Sequence, residues 1–577
     1  MTRDIRRSIF GGLGRAWRAG ALIALATAGT AQAQEGAQAR HPAAPPEQWA
    51  QYVADVPKTI IELQPFRTSQ SAALDSGGAV ELINLNPNIN AWFLLRVGGQ
   101  DYHLENPDPE GRTVTLGAGP ALAVSGKQCI PWAGDNPELA RARATGLPFA
   151  PICGGGLFLL NKASGTRSTL EGVTDFLRDH VWAGEQIVRI VRDTLYKDSF
   201  IETGKVTNGA PGATAPDGPA PARIAAAHAS SRIAPSGLGL ALGNTDKGNL
   251  SQGAWYPVVG LPGVFASAIQ PRAISEEVLK GPGTANWLDG VESGAVDFFV
   301  AFDLSRYGMG FALGTDHPRL DWSPRPPWNV RVKGLPGPDG IASSAPLMRS
   351  GMVSPAEVGR TVAAFAAGFK RSHGAFKYGD LREAYKGRHY GFIEDGVIFS
   401  KLWPDLSTLY MLDDGQIGMK TWTVKDNALL PRLRWARQNG VALIEGGIPG
   451  PRVTQWGPGN WSGSANADLR TLRAGACLQS KSGRRYLVYA YFSAATPSAM
   501  ARTFQAYGCD YAMLLDMNAP ELTYLALYVP RGGEMRVEHL ITAMSANDKT
   551  TGRGDLIPRF IGFPDSRDLF YIYRKAD

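Results

Sequence analysis

The stretch YGCDYAMLLDMNAPELTYLALY at 507–528 sets Asp516 and Asn518 between two apolar runs. A carboxylate just past the carboxyl end of a core strand has low-dielectric walls behind it and the usual ligand side of an α/β sheet ahead. Such a group can orient a hydroxyl or serve as general acid or base. The competing reading is a plain turn, because Asp and Asn both form Asx turns with their own backbone. Glu521 offers a second carboxylate, but a two-carboxylate glycosidase needs a defined separation that chain spacing does not fix. His317 in TDHP, and Trp456 and Trp461 in QWGPGNW, lie in loop-like stretches where they could touch a sugar or plug a local gap.

Other chemistries lack their signatures. There is no GxSxG, HExxH or GxxxxGK[ST], which argues against an α/β-hydrolase, a zincin or a P-loop enzyme. The Gly alternation GLGLALG at 237–243 is a poor nucleotide signal by itself. No cofactor and no metal is expected, and the absence of CxxC speaks against a zinc ribbon.

Asp516 must be positioned by what precedes it. RYLVYAYF (485–492) reads as a strand, and Thr496-Pro497 opens a helix that Gly508 closes. YAMLL follows as a fully apolar strand. The order predicts a βαβ crossover with parallel neighbours in one sheet. Further strands are expected at TIIEL (59–63), AVELINL (79–85), AWFLLRV (91–97), GAWYPVVG (253–260), AVDFFVAFDL (295–304), GVIFS (396–400), VALIEGG (441–447) and the TLYML–DDG–IGMKTWTV hairpin (408–424). Ser354-Pro355-Ala356-Glu357 reads as a capping box, with Val353 and Val358 as its staple, and VAAF (362–365) fits helix or strand equally. The fold class is therefore mixed α/β and α+β: a sheet-dominated C-terminal domain with a βαβ unit, plus a smaller β-rich N-terminal domain.

The predicted organisation is a signal peptide at 1–33, a β-rich domain with a helix pair at 34–202, a Pro/Gly/Ala-rich linker at 203–235, and the main domain at 236–577. Ser168 and Glu171 would cap the helix pair. The first 33 residues join a basic n-region to the apolar AGALIALATAG and an Ala31-Gln32-Ala33 cleavage pattern. That is an export signal, of Sec or twin-arginine type given Arg6-Arg7. It holds five Arg and one Asp, so the formal charge of +7 falls to about +3 after cleavage. No nucleic-acid partner follows from so small an excess, and no stable membrane span remains. Four cysteines in an exported chain suggest disulfides. Of three possible pairings, Cys129–Cys153 and Cys477–Cys509 are simplest because each stays local.

Several blocks in order, VAAFAAGFKRSHGAFKYG (362–379), STLYMLDDGQIGMKTW (407–422), VALIEGG (441–447), LRAGACLQSKSGRRYLVYA (472–490) and the segment 484–518, resemble the phosphodiester glycosidase family. These are relatives of the lysosomal enzyme that removes N-acetylglucosamine from a phosphodiester on mannose. The resemblance covers about residues 360–530. It implies a catalytic role for Asp516, a phosphate-pairing role for Arg473, and substrate contact at Gly368 and Phe369, where the family has the end of an Asn-Gly-Gly-Phe motif. His373 follows close by as a possible proton donor, and Asn518 as a substrate contact. Two departures stand out: Ala366-Ala367 replaces Asn-Gly, and Met517-Asn518-Ala519-Pro520 replaces the glycine run after the strand-end Asp. The resemblance implies an exported, periplasmic or secreted hydrolase acting on glycan or sugar-phosphodiester material of an envelope or exopolysaccharide. The alternative is a non-catalytic glycan-binding or structural envelope protein on the same fold.

Overall fold

The site is carried by an eight-stranded antiparallel sheet. In the computed structural model its centre is the long strand Thr471–Lys481, flanked by Arg484–Ala495 and Tyr511–Met517. The structure describes residues 50, 59–167, 200–318, 341–369, 390–455 and 467–576, apart from positions 76, 118, 203, 210–213 and 342. The predicted signal peptide, the helix pair at 168–199, His373, Trp456 and Trp461 all lie outside the described residues. The described residues belong to one compact unit.

The predicted helix is present as Pro497–Ala506. Thr496 Oγ1 accepts from the Ala499 amide at 3.2 Å, Pro497 takes the first turn, and Gly508 exits at φ +71°. Its flanking strands run in the same direction, as a crossover requires, but they are not neighbours. Thr471–Lys481 lies between them, antiparallel to both. The cause is local: Ser482 and Gly483, at φ +49° and +79°, make a two-residue hairpin that returns the chain along its own partner. The strand that follows the helix is therefore left the free edge.

Three layers stack on this sheet. The Pro497–Ala506 helix covers one face, with Phe504 and Tyr507 against Phe299 and Phe504 against Phe492. On the other face lies a five-stranded sheet ordered Tyr307–Ala312, Leu569–Arg574, Thr361–Ala366, Leu525–Arg531, Glu534–His539, joined through Phe365 against Tyr489. A third sheet, containing Leu433–Gln438 and the hairpin Ser407–Leu412/Ile417–Thr421, packs Trp435 onto Phe311 and Phe570. VAAF is thus strand, not helix. The six-stranded N-terminal sheet, Thr68–Ala73 through Leu157–Leu160, meets the third sheet at Trp92 and Phe399. The molecule is mixed α and β, with β dominant.

Some local expectations change. TIIEL forms the 3-10 turn Ile60–Leu63, tied down by Gln64, whose side chain exchanges two hydrogen bonds with the backbone of Ile398. Ser354 caps the short helix Pro355–Val358, but the box stays open because Arg360 takes the Glu357 carboxylate at 2.5 and 2.7 Å. The stretch read as a linker supplies two paired strands, Lys205–Asn208 and Ser231–Ala234. Both expected disulfides are present, Cys129–Cys153 and Cys477–Cys509. Among the described residues, no helix is long and apolar enough to cross a membrane.

Candidate active site

Four strand ends converge around Asp516. The Tyr511–Met517 strand runs two residues further than the apolar pattern predicts, so Asp516 is its penultimate residue and is buried. The chain leaves the sheet at Asn518, a non-glycine residue at φ +85°. Asn is among the few residue types that hold this conformation readily. The Asn518 amide donates to Leu472 O at 2.8 Å, and Thr471 Oγ1 donates to Asn518 Oδ1 at 3.2 Å. The left-handed turn at Asn518 and the strand-end carboxylate therefore coexist.

Arg567 Nη1 lies 2.7 Å from Asp516 Oδ2, and the Met517 amide donates to Oδ1 at 2.9 Å. Both side chains of the ion pair are almost fully buried, at 4% and 5% exposure. The next residue begins a second buried network. Asp568 Oδ2 accepts from Arg437 Nε at 2.8 Å, and Asp568 Oδ1 meets His317 Nδ1 at 2.5 Å and the Gly314 amide at 2.9 Å. Burial pushes the Asp568 carboxyl up, but His317, Arg437 and the Gly314 amide together hold it below the usual carboxylate range. Burial lowers the His317 pKa, against the opposing pull of Asp568. His317 stacks on Phe392 at 5.0 Å, and Arg437 lies over the same ring at 4.8 Å.

Asn439 fixes the remaining strand end. Its Nδ2 donates to Leu514 O and Leu515 O at 2.6 and 2.8 Å, and its Oδ1 accepts from the Phe369 amide at 3.0 Å. Gly368 passes so close, at φ +149°, that a Cβ there would sit 2.8 Å from Asn439 Oδ1. Phe369 O in turn accepts from Arg437 Nη2 at 2.5 Å. Gly368 and Phe369 thus adjoin both the Asp516 strand and the Asp568 network through their backbone.

Arg473 is fully buried. It donates from Nε to Ala495 O at 2.8 Å and from Nη2 to Leu469 O at 2.7 Å, with Nη1 3.4 Å from the Met517 sulfur. Its strand pairs with Met517, so it braces the turn that carries Asp516 and Asn518. His317 is buried within the network and not in an open loop.

Arg567, Asp568, Arg437 and Asn439 were not singled out by sequence reasoning. One signal was available: the DSRD run at 565–568 stands immediately before the apolar LFYIYR, as Asp516 stands immediately after YAMLL. Charged residues against a core strand need buried partners, and these two groups partner each other.

No protein-family profile and no curated protein matches the chain. Among solved structures, it is similar to the catalytic domain of zebrafish N-acetylglucosamine-1-phosphodiester alpha-N-acetylglucosaminidase, auto-inhibited by its pro-peptide, at 10% identity and a TM-score of 0.29, covering 55% of this chain and 85% of that one. A hypothetical protein from Synechocystis gives 11% identity and a TM-score of 0.27 over 88% of this chain and 98% of that one. A protein from Burkholderia pseudomallei described as exported gives 12% identity and a TM-score of 0.17 over 48% and 74%. The likeness is weak and at the level of the fold.

Proposed function

We propose that this chain is an exported hydrolase of glycan or sugar-phosphodiester material in an envelope or exopolysaccharide, with Asp516 as its working carboxylate. The observation that carries the reading is the buried Asp516–Arg567 pair at the end of a core strand. Arg567 pairs with the Asp516 carboxylate, and a guanidinium is also a good receptor for phosphate. A substrate phosphate arriving here would compete with Asp516 for Arg567 and release the carboxylate beside the anomeric carbon. Asp516 then takes the proton of an attacking water, the anomeric C–O bond breaks, and its electron pair leaves with the phosphate oxygen. A phosphate monoester is a good leaving group, so no second carboxylate is required, in contrast to glycosides with alcohol leaving groups. The Asp568–Arg437–His317 network positions Arg567 through the adjoining backbone. In this reading Arg473 braces the turn, Asn518, Gly368 and Phe369 border the substrate, and His373 is a further proton donor. Export rests on the basic–apolar N-terminal segment, of Sec or twin-arginine type, and the two disulfides fit an oxidising destination.

A second reading, a non-catalytic glycan-binding protein, is favoured by one observation. Beyond Asp516 the chain has Met517, Asn518, Ala519 and Pro520, and of these four only Asn518 takes positive φ. A backbone cradle for phosphate is correspondingly reduced. Release of free sugar from a panel of aryl and alkyl sugar-1-phosphodiesters separates the two readings. The hydrolase predicts turnover by the wild type that Arg567→Lys weakens and Asp516→Asn abolishes. No turnover of any member by the wild type favours binding alone.

A further inference from the structure

Of the seven described tryptophans, Trp92, Trp255, Trp422 and Trp435 are buried and Trp132 and Trp403 partly buried, whereas Trp287 is 78% exposed. Its indole makes no hydrogen bond and no ring contact among the described residues. The loop that presents it is nonetheless pinned. Arg502, on the Pro497–Ala506 helix, donates to the carbonyls of Val278, Gly281, Pro282 and Gly283 at 2.9–3.3 Å. The Asn286 amide donates to Ser498 Oγ at 2.9 Å, and its side-chain Nδ2 to Asp468 Oδ1 at 2.6 Å. Immediately after the indole, Asp289 caps the next helix with a complete capping box and pairs with Arg470. A large aromatic on a pinned loop, yet left in water, gains little for folding. Ring faces stack on the C–H faces of sugars, and a ring on a fixed backbone loses less entropy on doing so.

We propose that Trp287 is the platform of a carbohydrate subsite that takes a neutral pyranose segment of a glycan chain, with Asn286, Asp468 and Arg470 as its hydrogen-bonding rim. The ligand class rests on the glycan reading of the Asp516 site; the platform itself does not depend on turnover. Asn286 Oδ1 accepts no bond among the described residues and is exposed for a sugar hydroxyl. Among the described residues, the rim brings Asp289 to Arg470 and Asp468 to Asn286. Its position suits an extended substrate. Arg470 directly precedes Thr471, which bonds Asn518, two residues from Asp516. Asp468 to Thr471 spans at most about 11 Å of chain, so one glycan could reach from the platform toward the carboxylate.

The test is affinity electrophoresis of the full chain in gels containing dextran, xylan or galactomannan, with Trp287→Ala and Trp287→Phe alongside. The expected result is retardation of the wild type by at least one polymer. Trp287→Ala should weaken it roughly three- to tenfold at unchanged thermal midpoint, with Trp287→Phe between the two. The readout is binding and not turnover, which keeps this result separate from the hydrolase reading. Equal retardation of wild type and Trp287→Ala overturns the proposal, as does no retardation by any of the three. So does a wild-type dimer that Trp287→Ala converts to monomer, which would assign the indole to a protein contact.

Discussion

Asp516 and Arg567 are 51 residues apart in sequence and 2.7 Å apart in space, both nearly excluded from water. Breaking one partner of such a pair leaves an uncompensated charge and costs about 3–5 kcal/mol, whereas replacing both with apolar groups is often close to neutral. Arg567→Met should therefore lower unfolding stability by about that amount. The double variant Asp516→Leu/Arg567→Met should be less destabilised than the sum of its single changes. Denaturant titration of the four proteins checks this, and additive losses would show that the two groups do not act as a unit.

The seam between the N-terminal sheet and the rest predicts a pH dependence with two opposed arms. Glu105 donates no charge at neutral pH: burial first, then Asp395 and Glu357, push its carboxyl up to about 8, against the pull of Ser354 and Arg434. Its folded form binds more protons than its unfolded form between about pH 4.5 and 8, so stability falls as pH rises through that window. His103, two residues earlier, is lowered to about 3 by burial, and its Nδ1 accepts from the Met348 amide. Its folded form binds fewer protons than its unfolded form between about 3 and 6.5, so stability falls as pH drops there. Thermal midpoints should peak in mildly acidic buffer. Glu105→Gln should gain on the wild type at pH 8 relative to pH 5; an equal difference at both values would remove the buried-acid explanation.

Gly368 tests how tightly the strand ends are interlocked. An alanine there meets Asn439 Oδ1 at 2.8 Å and is held at φ +149°. Gly368→Ala should cost about 1–3 kcal/mol from backbone strain and release the Asn439 side chain from Leu514 and Leu515. Hydrogen exchange at the Phe369 amide should accelerate at the same time. A variant as stable as the wild type, with that amide still protected, would mean the close approach is not constraining.

Local signals in the sequence carried much of the fold. Thr496-Pro497 and Gly508 bracket the helix, the DDG turn joins the hairpin at 407–421, and proximity in sequence sufficed for both disulfides. What escaped was long-range. Nothing in RYLVYAYF or YAMLL reveals that Thr471–Lys481 separates them, because a strand's neighbours are chosen by tertiary packing and not by its own pattern. The partner of Asp516 escaped for the same reason: Arg567 arrives from just ahead of the strand Leu569–Arg574, in a different sheet. TIIEL has a strand's composition, yet Gln64 finds its partners on Ile398 and draws the segment into a turn. His317 does lie in a loop, but no local pattern announces that it is buried against the aromatic ring of Phe392.

The most direct measurement is a phosphorus NMR time course of an aryl sugar-1-phosphodiester with the wild type and with Asp516→Asn, both verified as folded. The account predicts that the wild type converts the diester signal to a phosphate monoester with release of free sugar, and that Asp516→Asn slows this by at least about a hundredfold, as for loss of a positioned general base. Conversion at the same rate by both proteins would contradict the role assigned to Asp516.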